Sequence, residues 1–558
     1  MSSVLYAVVA MSALYSATCF QPPSSIAVIG FPIGLLFTLA TLVVSMRFLS
    51  APNRNRLAPL RKMFEYLPFV LFASFVISRT GPVDGQFLLD LASVLLWIAA
   101  SVLSVVVLYR LSDKRIGMRY PSLTEAAPSR KTVVTHTFEW IDALVQAACL
   151  VLLINLFLFQ LYAIPSESMV PEFMIGDRVV VLKTPSGPKF PLSNVGIPRM
   201  RSYERGDIVV FNNPHYNDTK EARVRSFASQ LVYMLTFTAV NINRDEYGAI
   251  KADPLVKRVV GMPGEKLMMV DGVLYAKRKD APDFKPVSED AVWAAWNIDA
   301  LPRSERALVE RIPLSREQFT LLESVESLRA NADLHALGSE ASALVDRFAS
   351  LRHLEDTVLS APELVSRNAR EVYALFSSDA DITRLLLTTN GGLSWFRDFM
   401  TGWTVNSSRD TLFEDRSFRL NVLIKLCFGR LVVRNAELFA SNTTLDAFRN
   451  DHERTQILSE AQTYLHYLAQ HDQRNMGEFP EAEDEYIPDN CFFMMGDNRF
   501  NSLDMRHSYT IRLAALDPDD AYSVLYRSNL GPQYVPVSRI LGVASFRFWP
   551  LSRLGIPE

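Results

Sequence analysis

Long apolar stretches separated by short polar segments fill the first 164 residues of the chain. A helix needs about 20 apolar residues to span the hydrocarbon core of a membrane. The pattern predicts about five such helices in a transmembrane region over residues 1–164. They run from about Val4 to Phe20, Ile26 to Leu49, Tyr66 to Ser78, Phe87 to Tyr109 and Ile141 to Ile164.

The basic residues of this region indicate how the helices are oriented. Nearly all of its Lys and Arg lie in the two segments "APNRNRLAPLRK" and "RLSDKRIGMRYPSLTEAAPSRK". Basic loops stay on the cytoplasmic side of a membrane, and five crossings then put everything after Ile164 on the outer side. A cleavable signal peptide over residues 1–20 is the competing interpretation, but this segment has no positively charged start.

After residue 164 the pattern changes to short apolar runs bounded by Gly, Pro, Asn and Asp. Such runs predict strands, and they read "DRVVVLK", "GDIVVFNNP", "LVKRVVGMPG", "EKLMMVDGVLYA" and "RILGVASFRFW". The Asp-Gly pair in "VDGV" is typical of a tight hairpin turn. Residues 165–280 and 486–558 are therefore predicted to form the two parts of a catalytic-type β core.

Two insertions interrupt the predicted β core. Residues 215–250 contain "FASQLVYMLTFTAV", which is either a buried apolar strand pair or a surface segment that leans on the membrane. Residues 281–485 are charged and mainly helical in pattern, with Phe319, Leu322 and Val325 at helical spacing. The predicted fold class is thus a multi-span α-helical membrane anchor followed by a mostly β catalytic domain with a large α-helical insertion.

Composition and charge exclude some classes of partner. A formal net charge of −3 over 558 residues gives a nucleic-acid partner no electrostatic support. The four cysteines show no metal-ligand spacing, so neither a metal nor another cofactor is predicted. A disulfide between Cys427 and Cys491 stays open for a domain outside the cytoplasm.

Ser166 and Ser168 directly follow the last predicted membrane helix, in "IPSESMVPEFMIGDRVVVLK". A serine is a weak nucleophile until a neighbouring base takes its proton. The histidines nearest to the predicted strands, His215 and His507, lie in no catalytic-type strand, whereas the apolar neighbours of Lys257 in "PLVKRVVGMPGEKL" would desolvate its amine and lower its pKa. The alternatives are a capped turn for the serines and a solvated surface charge for the lysine.

Four blocks in order, "PSESMVP", "RGDIVVFNNP", "VKRVVGMPGEKL" and "GDNRFNSLDMR", resemble type I signal peptidase. This is a bacterial family of membrane-bound Ser-Lys endopeptidases that remove leader peptides from exported proteins. The resemblance also covers the fifth predicted helix and the closing "YVPVSRILGVASFRFW". The first four helices and the two insertions lie outside it.

The resemblance implies roles for individual residues. Ser168 would be the nucleophile, and Lys257 the general base that also returns the proton to the leaving amine. Ser166 would donate its hydroxyl to the oxyanion hole. Ser502 would accept a hydrogen bond from the Lys257 amine. An ion pair of Asp504 and Arg506 would support that arrangement.

The resemblance also implies a substrate and a location. Shallow apolar pockets would admit small side chains before the cleaved bond, as in an Ala-x-Ala site. The pocket residues would be Tyr162, Ile164, Pro165, Met169, Phe173, Leu255 and Val256. The expected partners are preproteins with signal peptides, the lipid bilayer and, as a further candidate, the protein-export translocon. The expected location is the bacterial inner membrane, with a multi-pass anchor and the catalytic domain on the periplasmic side.

The sequence departs from the family pattern at several positions. Phe500 replaces an aspartate of the family's "GDNRDNS", Glu172 replaces a small hydroxyl residue, and residues 507–533 are longer than usual. Two other classes of function are compatible with parts of this sequence. A self-cleaving Ser-Lys hydrolase of the repressor type is disfavoured by the membrane helices, whereas a non-catalytic multi-span protein whose outer domain binds partners stays the alternative.

Overall fold

The structure of the chain is a computed structural model. It describes residues 2–20, 26–81, 86–123, 133–216, 219–236, 240, 242–244, 248, 251–357, 364–406 and 408–558.

Among the described residues of the N-terminal region, six segments form α-helices. They are α1 (Ser2–Thr18), α2 (Gly30–Ser50), α3 (Arg54–Ser78), α4 (Phe87–Arg110), α5 (Asp113–Arg119) and α6 (Val133–Phe157). Within the described ranges, three helices are long and apolar enough to cross a membrane by length and composition: Ile26–Ser50, Phe87–Arg110 and His136–Phe157. The first predicted span, α1, is a shorter apolar helix. The third, predicted over Tyr66–Ser78, is the second half of α3, whose first half carries basic residues.

The fifth predicted helix ends earlier than expected. Helix α6 stops at Phe157, and the next residues form strand β1 (Phe159–Ala163). Strand β1 pairs with β2 (Arg178–Leu182), with Phe159 opposite Leu182 and Ala163 opposite Arg178. The extension of the helix to Ile164 was therefore wrong, because an apolar run fits both structures and pairing with β2 decides between them.

The main sheet has seven strands in the order β1-β2-β13-β3-β4-β9-β12. All of its ladders are antiparallel. The five strands that complete it are β3 (Ile208–Phe211), β4 (Leu255–Gly261), β9 (Cys491–Met495), β12 (Val535–Pro536) and β13 (Ile540–Trp549). The strands predicted from "DRVVVLK", "GDIVVFNNP", "LVKRVVGMPG" and "RILGVASFRFW" are confirmed as β2, β3, β4 and β13.

A four-stranded sheet in the order β7-β6-β5-β8 packs beside the main one. Its strands are β5 (Glu265–Val270), β6 (Val273–Arg278), β7 (Lys285–Pro286) and β8 (Met476–Phe479). The predicted hairpin between β5 and β6 is confirmed. Asp271 and Gly272 form its turn with φ of 53° and 80°, the double positive φ that Asp-Gly turns of type I′ require.

The apolar segment "FASQLVYMLTFTAV" belongs mainly to helix α7 (Lys220–Leu235). The strand pair was thus a wrong prediction. Leu231 and Val232 are half-buried and Tyr233 is exposed, so the described part of this segment does not lie inside the β core. Phe227 packs against the N-terminal helix bundle, and the lean on the membrane stays a prediction.

Helices dominate the predicted insertion. They are α8 (Asp290–Trp293), α9 (Arg303–Arg306), α10 (Arg316–Ala330), α11 (Leu334–Leu351), α12 (Val372–Ser377), α13 (Asp379–Thr388), α14 (Gly392–Thr401), α15 (Leu412–Ala440), α16 (Leu445–Arg449), α17 (His452–Ala469) and α18 (His471–Arg474). Helix α15 is the central one, with buried residues on all sides. Below, residues 290–474 are called the helical insertion.

The long segment after residue 506 folds against the helical insertion. It forms the hairpin β10 (His507–Ala515) and β11 (Leu525–Leu530). Val524 and Tyr526 belong to the same hydrophobic core as Phe428 of α15. Cys427 lies in this core and Cys491 in that of the β sheets, and neither forms a disulfide.

The N-terminal helix bundle contacts the catalytic domain through the loop of residues 187–195. Phe190 in this loop is buried among aromatic rings of α3, α4 and α6. Its ring centroid lies 4.7 Å from that of Phe157, 5.6 Å from that of Trp97 and 6.1 Å from that of Phe75. The helices are therefore packed against the β domain.

Candidate active site

Ser168 lies in the loop between β1 and β2. The loop is anchored on both sides of this serine, because Ile164 and Met169 are buried while Ser168 itself is half-buried. The backbone carbonyl of Ser168 accepts a hydrogen bond from the Asn498 amide N–H at 3.2 Å. The Asn498 side chain donates to the carbonyl of Glu167 at 3.1 Å. Ser168 is thus held by the turn that follows β9.

Lys257 lies in the middle of β4, opposite Val209 of β3. Its side chain is only 3% exposed. Its Nζ lies 2.6 Å from Ser168 Oγ and 3.0 Å from the carbonyl oxygen of Val256. Burial lowers the pKa of Lys257 to about 8, although nearby carboxylates act in the opposite direction. The alternative interpretation as a solvated surface charge was therefore wrong.

Ser166 lies beside the pair and faces solvent. Its Oγ is 3.4 Å from Ser168 Oγ. The structure thus brings Ser166, Ser168 and Lys257 into one constellation at an accessible surface. A hydroxyl at this position can reach an oxygen bound next to Ser168 Oγ, which is the geometry that an oxyanion hole needs.

Asp504 and Arg506 form a fully buried ion pair behind the lysine. Arg506 Nε lies 2.8 Å from Asp504 Oδ1, and both side chains have no exposed surface. Asp504 Oδ2 also accepts a hydrogen bond from the Gly496 N–H at 2.9 Å. Burial alone would raise the pKa of Asp504, but Arg506 holds it well below its usual range. The pair therefore stays charged and fixes the turn at Gly496.

Ser502 lies close to this turn but does not make the expected hydrogen bond. A Cβ added at Gly496 would collide with both Ser502 Oγ and the carbonyl oxygen of Ser168. Yet Ser502 Oγ is buried with no hydrogen-bond partner among the described residues. The expectation that it accepts from Lys257 is wrong for this structure, because the amine is directed at Ser168 and Val256.

Most of the predicted pocket residues lie together. Ile164, Met169 and Phe173 form a buried cluster against which Tyr162 and Val256 pack. Leu255 instead packs against the neighbouring core with Val209 and Val259. Pro165 is exposed beside Ser166. The apolar cluster lies directly beside the serines, where a pocket for a small side chain would be needed.

Arg258 is a structural residue that the sequence did not reveal. It forms a bidentate pair with Asp497, with Nε–Oδ1 and Nη2–Oδ2 distances of 2.9 and 2.7 Å. Both side chains are buried. A lysine followed by an arginine gave no sign of this pairing, since the partner lies 239 residues later in the chain.

The two histidines near the strands lie elsewhere. His507 is buried with its Nδ1 3.1 Å from Asn529 Oδ1, and burial lowers its pKa to about 4. His215 packs on the ring of Tyr509 at 4.6 Å. Among the described residues, no three His, Cys, Asp or Glu side chains form a group that could hold a metal ion.

Curated relatives with similar sequences are bacterial signal peptidases. Signal peptidase I of Buchnera aphidicola subsp. Baizongia pistaciae (strain Bp) is 29% identical over 205 residues, covering 37% of this chain and 47% of that protein. That of Bacillus licheniformis is 27% identical over 146 residues, covering 25% and 51%. Signal peptidase I T of Bacillus subtilis (strain 168) is 30% identical over 157 residues, covering 28% and 55%. The chain thus spans about half the length of these relatives.

The family model "Signal peptidase, peptidase S26" matches residues 137–310 and 430–549, which together exceed half of the chain. The matched residues include both serines, Lys257 and the turn with Asp504 and Arg506. The unmatched stretch between them falls within the helical insertion. The chain therefore belongs to the signal peptidase family, peptidase S26.

Proposed function

We propose that this protein is a membrane-bound serine endopeptidase that removes signal peptides from exported preproteins after small-x-small sites. It would use a Ser-Lys dyad and an acyl-enzyme intermediate. The observation that carries the proposal is the 2.6 Å contact between Lys257 Nζ and Ser168 Oγ, made by a desolvated amine. A lysine with a pKa of about 8 is neutral in a useful fraction of molecules near neutral pH.

In the first step, the neutral Lys257 amine takes the proton of Ser168 as Oγ attacks the carbonyl carbon of the substrate. The carbonyl oxygen becomes an oxyanion, to which Ser166 and the N–H of Ser168 would donate. The Lys257 ammonium then gives its proton to the leaving nitrogen, which departs as the new N-terminus of the mature protein. Lys257 next takes a proton from water as the water oxygen attacks the ester carbonyl. It returns this proton to Ser168 Oγ as the ester bond breaks, and the signal peptide leaves with a free carboxyl group.

Asp504, Arg506 and Ser502 would act as positioning residues. The ion pair holds the Gly496 N–H, and the turn at Asn498 holds the Ser168 carbonyl. Strand β4, which carries Lys257, pairs with β9 just before this turn, with Arg258 opposite Met495. Nucleophile and base would therefore share one support, which keeps a catalytic pair within reach. Ser502 borders the same turn, because a Cβ at Gly496 would meet both its Oγ and the carbonyl oxygen of Ser168.

The apolar cluster of Ile164, Met169 and Phe173 would line the pocket for the residue before the cleaved bond. On the other side, the described ladder of β4 with β9 begins only at Arg258, so a substrate strand could pair with Leu255 and Val256. A preprotein would thus bind in an extended conformation by strand addition.

The proposed location is the outer face of the bacterial cytoplasmic membrane. Ser168 follows α6 by eleven residues, so the catalytic site stays near the end of a helix that is apolar enough to cross a membrane. Phe159 and Leu161 on β1, and Trp549 and Leu551 near the end of β13, expose apolar side chains. Such side chains suit the headgroup region of a bilayer.

The test is cleavage of a preprotein with an Ala-x-Ala site by the full chain in detergent micelles. Wild type should yield mature protein, whereas Ser168→Ala and Lys257→Met should yield none, because each removes one half of the dyad. Sequencing of the product N-terminus should identify the bond after the small residue. Equal cleavage by all three proteins, or by none across several preproteins, would reject the proposal.

A further inference from the structure

The residue between the two serines has an unusual environment. Ser166 is exposed and Ser168 half-buried, but the side chain of Glu167 between them is only 5% exposed. Burying a carboxylate costs free energy unless hydrogen bonds replace its hydration. The partners of this carboxylate therefore show which segment holds the loop between β1 and β2, called here the nucleophile loop.

These partners come mainly from the helical insertion. Glu167 Oε1 accepts hydrogen bonds from the backbone N–H groups of Glu310 and, at 3.1 Å, Arg311. Its Oε2 accepts from Asn501 Nδ2 at 3.3 Å. The side chains of Glu310 and Arg311 are exposed, so the contact uses only their backbone. The carboxylate thus joins the nucleophile loop to a segment 143 residues away in the chain.

The same part of the insertion holds the turn on the other side of Ser168. Ala295 N–H donates to the carbonyl of Asp497 at 2.7 Å, and Arg499 N–H donates to the carbonyl of Ala295 at 3.2 Å. Arg499 Nη2 lies 2.6 Å from Asp290 Oδ1 in a buried ion pair. Residues 290–311, called here the clamp segment, therefore contact both loops that position Ser168.

We propose that the clamp segment holds Ser168 in position for catalysis. It acts through Glu167, which is a positioning residue. This inference rests on the proposed function. Ser168 Oγ must stay at the 2.6 Å distance from Lys257 Nζ to transfer its proton. A displacement of about 1 Å in such a pair can lower a rate on the order of 100-fold. If the nucleophile loop lost the hydrogen bonds of Glu167 to the clamp segment and kept only those to Asn498, Ser168 could shift in this way.

The test compares Glu167→Ala with Glu167→Gln in the full-length protein. Removing the carboxylate should lower kcat on the preprotein by about 10- to 100-fold, with KM within about twofold, since the pocket residues stay in place. Gln keeps an oxygen acceptor for the two N–H groups, and Asn501 can turn its amide to match. Glu167→Gln should therefore keep kcat within about threefold of wild type.

Asp379→Ala is the matched control. Asp379 is also 5% exposed and accepts buried hydrogen bonds from Asn435 and Arg454, but within the helical insertion. Its loss should lower the unfolding temperature without changing kcat of the folded protein. If Glu167→Ala behaved like this control, with a lower unfolding temperature and an unchanged kcat, the proposal would be overturned.

Hydrogen exchange supplies a readout that does not depend on cleavage. In Glu167→Ala, the amides of residues 164–170 and 310–311 should exchange faster than in wild type, while Asp379→Ala should leave both segments unchanged. Unchanged exchange in Glu167→Ala would overturn the clamp, whether or not the preprotein is cleaved. The loss of the clamp and the failure of the proposed peptidase activity are therefore distinguished.

Discussion

Burial strongly changes the acid–base chemistry of Lys257. An ordinary lysine is protonated near neutral pH and cannot accept a proton. Here burial lowers the pKa to about 8, and the amine faces a hydroxyl at 2.6 Å. Desolvation therefore raises the fraction of neutral amine near neutral pH, as the proposed role of Lys257 as a base requires.

This pKa predicts the pH dependence of the reaction. Only the neutral amine can take the Ser168 proton, so kcat/KM should rise about tenfold per pH unit below a midpoint near 8 and level off above it. Initial rates between about pH 6 and 10 at constant ionic strength check this. A midpoint near the ordinary lysine value of 10.5 would contradict the role of burial. Lys257→Arg should be inactive at every pH in the range, since a guanidinium stays charged.

The close packing around Gly496 leads to a second prediction about a single residue. A side chain there would strike Ser502 Oγ and the Ser168 carbonyl oxygen, so Gly496→Ala should push the nucleophile loop away from Lys257. We expect kcat/KM to fall by at least about tenfold. Gly555→Ala is the control, since its Cβ would meet nothing within 4 Å. Equal activity of the two variants would show that the turn yields without moving Ser168.

At the scale of elements, strands with strong local signals were predictable from the sequence. The Asp-Gly turn fixed the β5–β6 hairpin, and the apolar runs of β2, β3, β4 and β13 were bounded by turn residues. Two apolar segments were not predictable, because a short apolar run is compatible with either a helix or a strand. Phe159–Ala163 forms a strand because it pairs with β2. Helix α7 packs against the helix bundle through Phe227.

The contacts between distant segments were likewise not predictable. Spacing and resemblance led to Ser168 and Lys257, because both lie in short local motifs. Asp497, which pairs with Arg258, and Glu310, which binds Glu167, lie 239 and 143 residues away from these partners. Glu310 contributes only its backbone N–H, which leaves no mark on a sequence. The position of the Ser502 hydroxyl, set by the rotation of one side chain, was missed for a related reason.

Phe500 shows how the helical insertion and the catalytic turn depend on each other. Its ring lies 5.4 Å from that of Trp296 and 6.2 Å from that of Phe319, in edge-to-face contacts. It belongs to the core of the helical insertion although it follows the "GDNR" motif. The replacement of the family's aspartate thus gives the turn an apolar attachment to the insertion.

Restoring the aspartate should therefore be harmful in this chain. Phe500→Asp would bury a carboxylate between two aromatic rings, which is costly without a partner. We expect a lower unfolding temperature together with a lower kcat, whereas Phe500→Leu, which keeps an apolar side chain, should lose less of both. Thermal unfolding and preprotein cleavage measure the two effects. Wild-type behaviour of Phe500→Asp would mean that the attachment does not support the turn.

In the molecule as a whole, the N-terminal helix bundle makes specific contacts with the β domain. The loop of residues 187–195 enters it with Phe190. Beside this ring, Ser193 Oγ donates to Asp90 Oδ2, and Asp90 forms a buried ion pair with Arg79 at 2.7 Å. A buried pair of this kind is weak evidence for stability but restricts orientation. We therefore expect the bundle to determine the orientation of the catalytic domain relative to the bilayer.

This arrangement predicts a defect that depends on the substrate. A signal peptide held in a bilayer presents its cleavage site at a fixed height, so the orientation of Ser168 matters, whereas a short soluble peptide reaches the site from any direction. In liposomes, Phe190→Ala should cleave an inserted preprotein several-fold more slowly than wild type but a soluble peptide at the same rate.

Phe348→Ala is the matched control, because its ring packs on Phe396 at 4.6 Å within the helical insertion, in a different hydrophobic core from that of the bundle. It should lower stability as a cavity does while leaving the ratio of the two cleavage rates as in wild type. If Phe190→Ala lowered both rates equally, the loop would serve only the stability of the catalytic domain. If the ratio of the two cleavage rates changed in Phe190→Ala but not in Phe348→Ala, the helices α3, α4 and α6 would help to present the site to a substrate in the membrane.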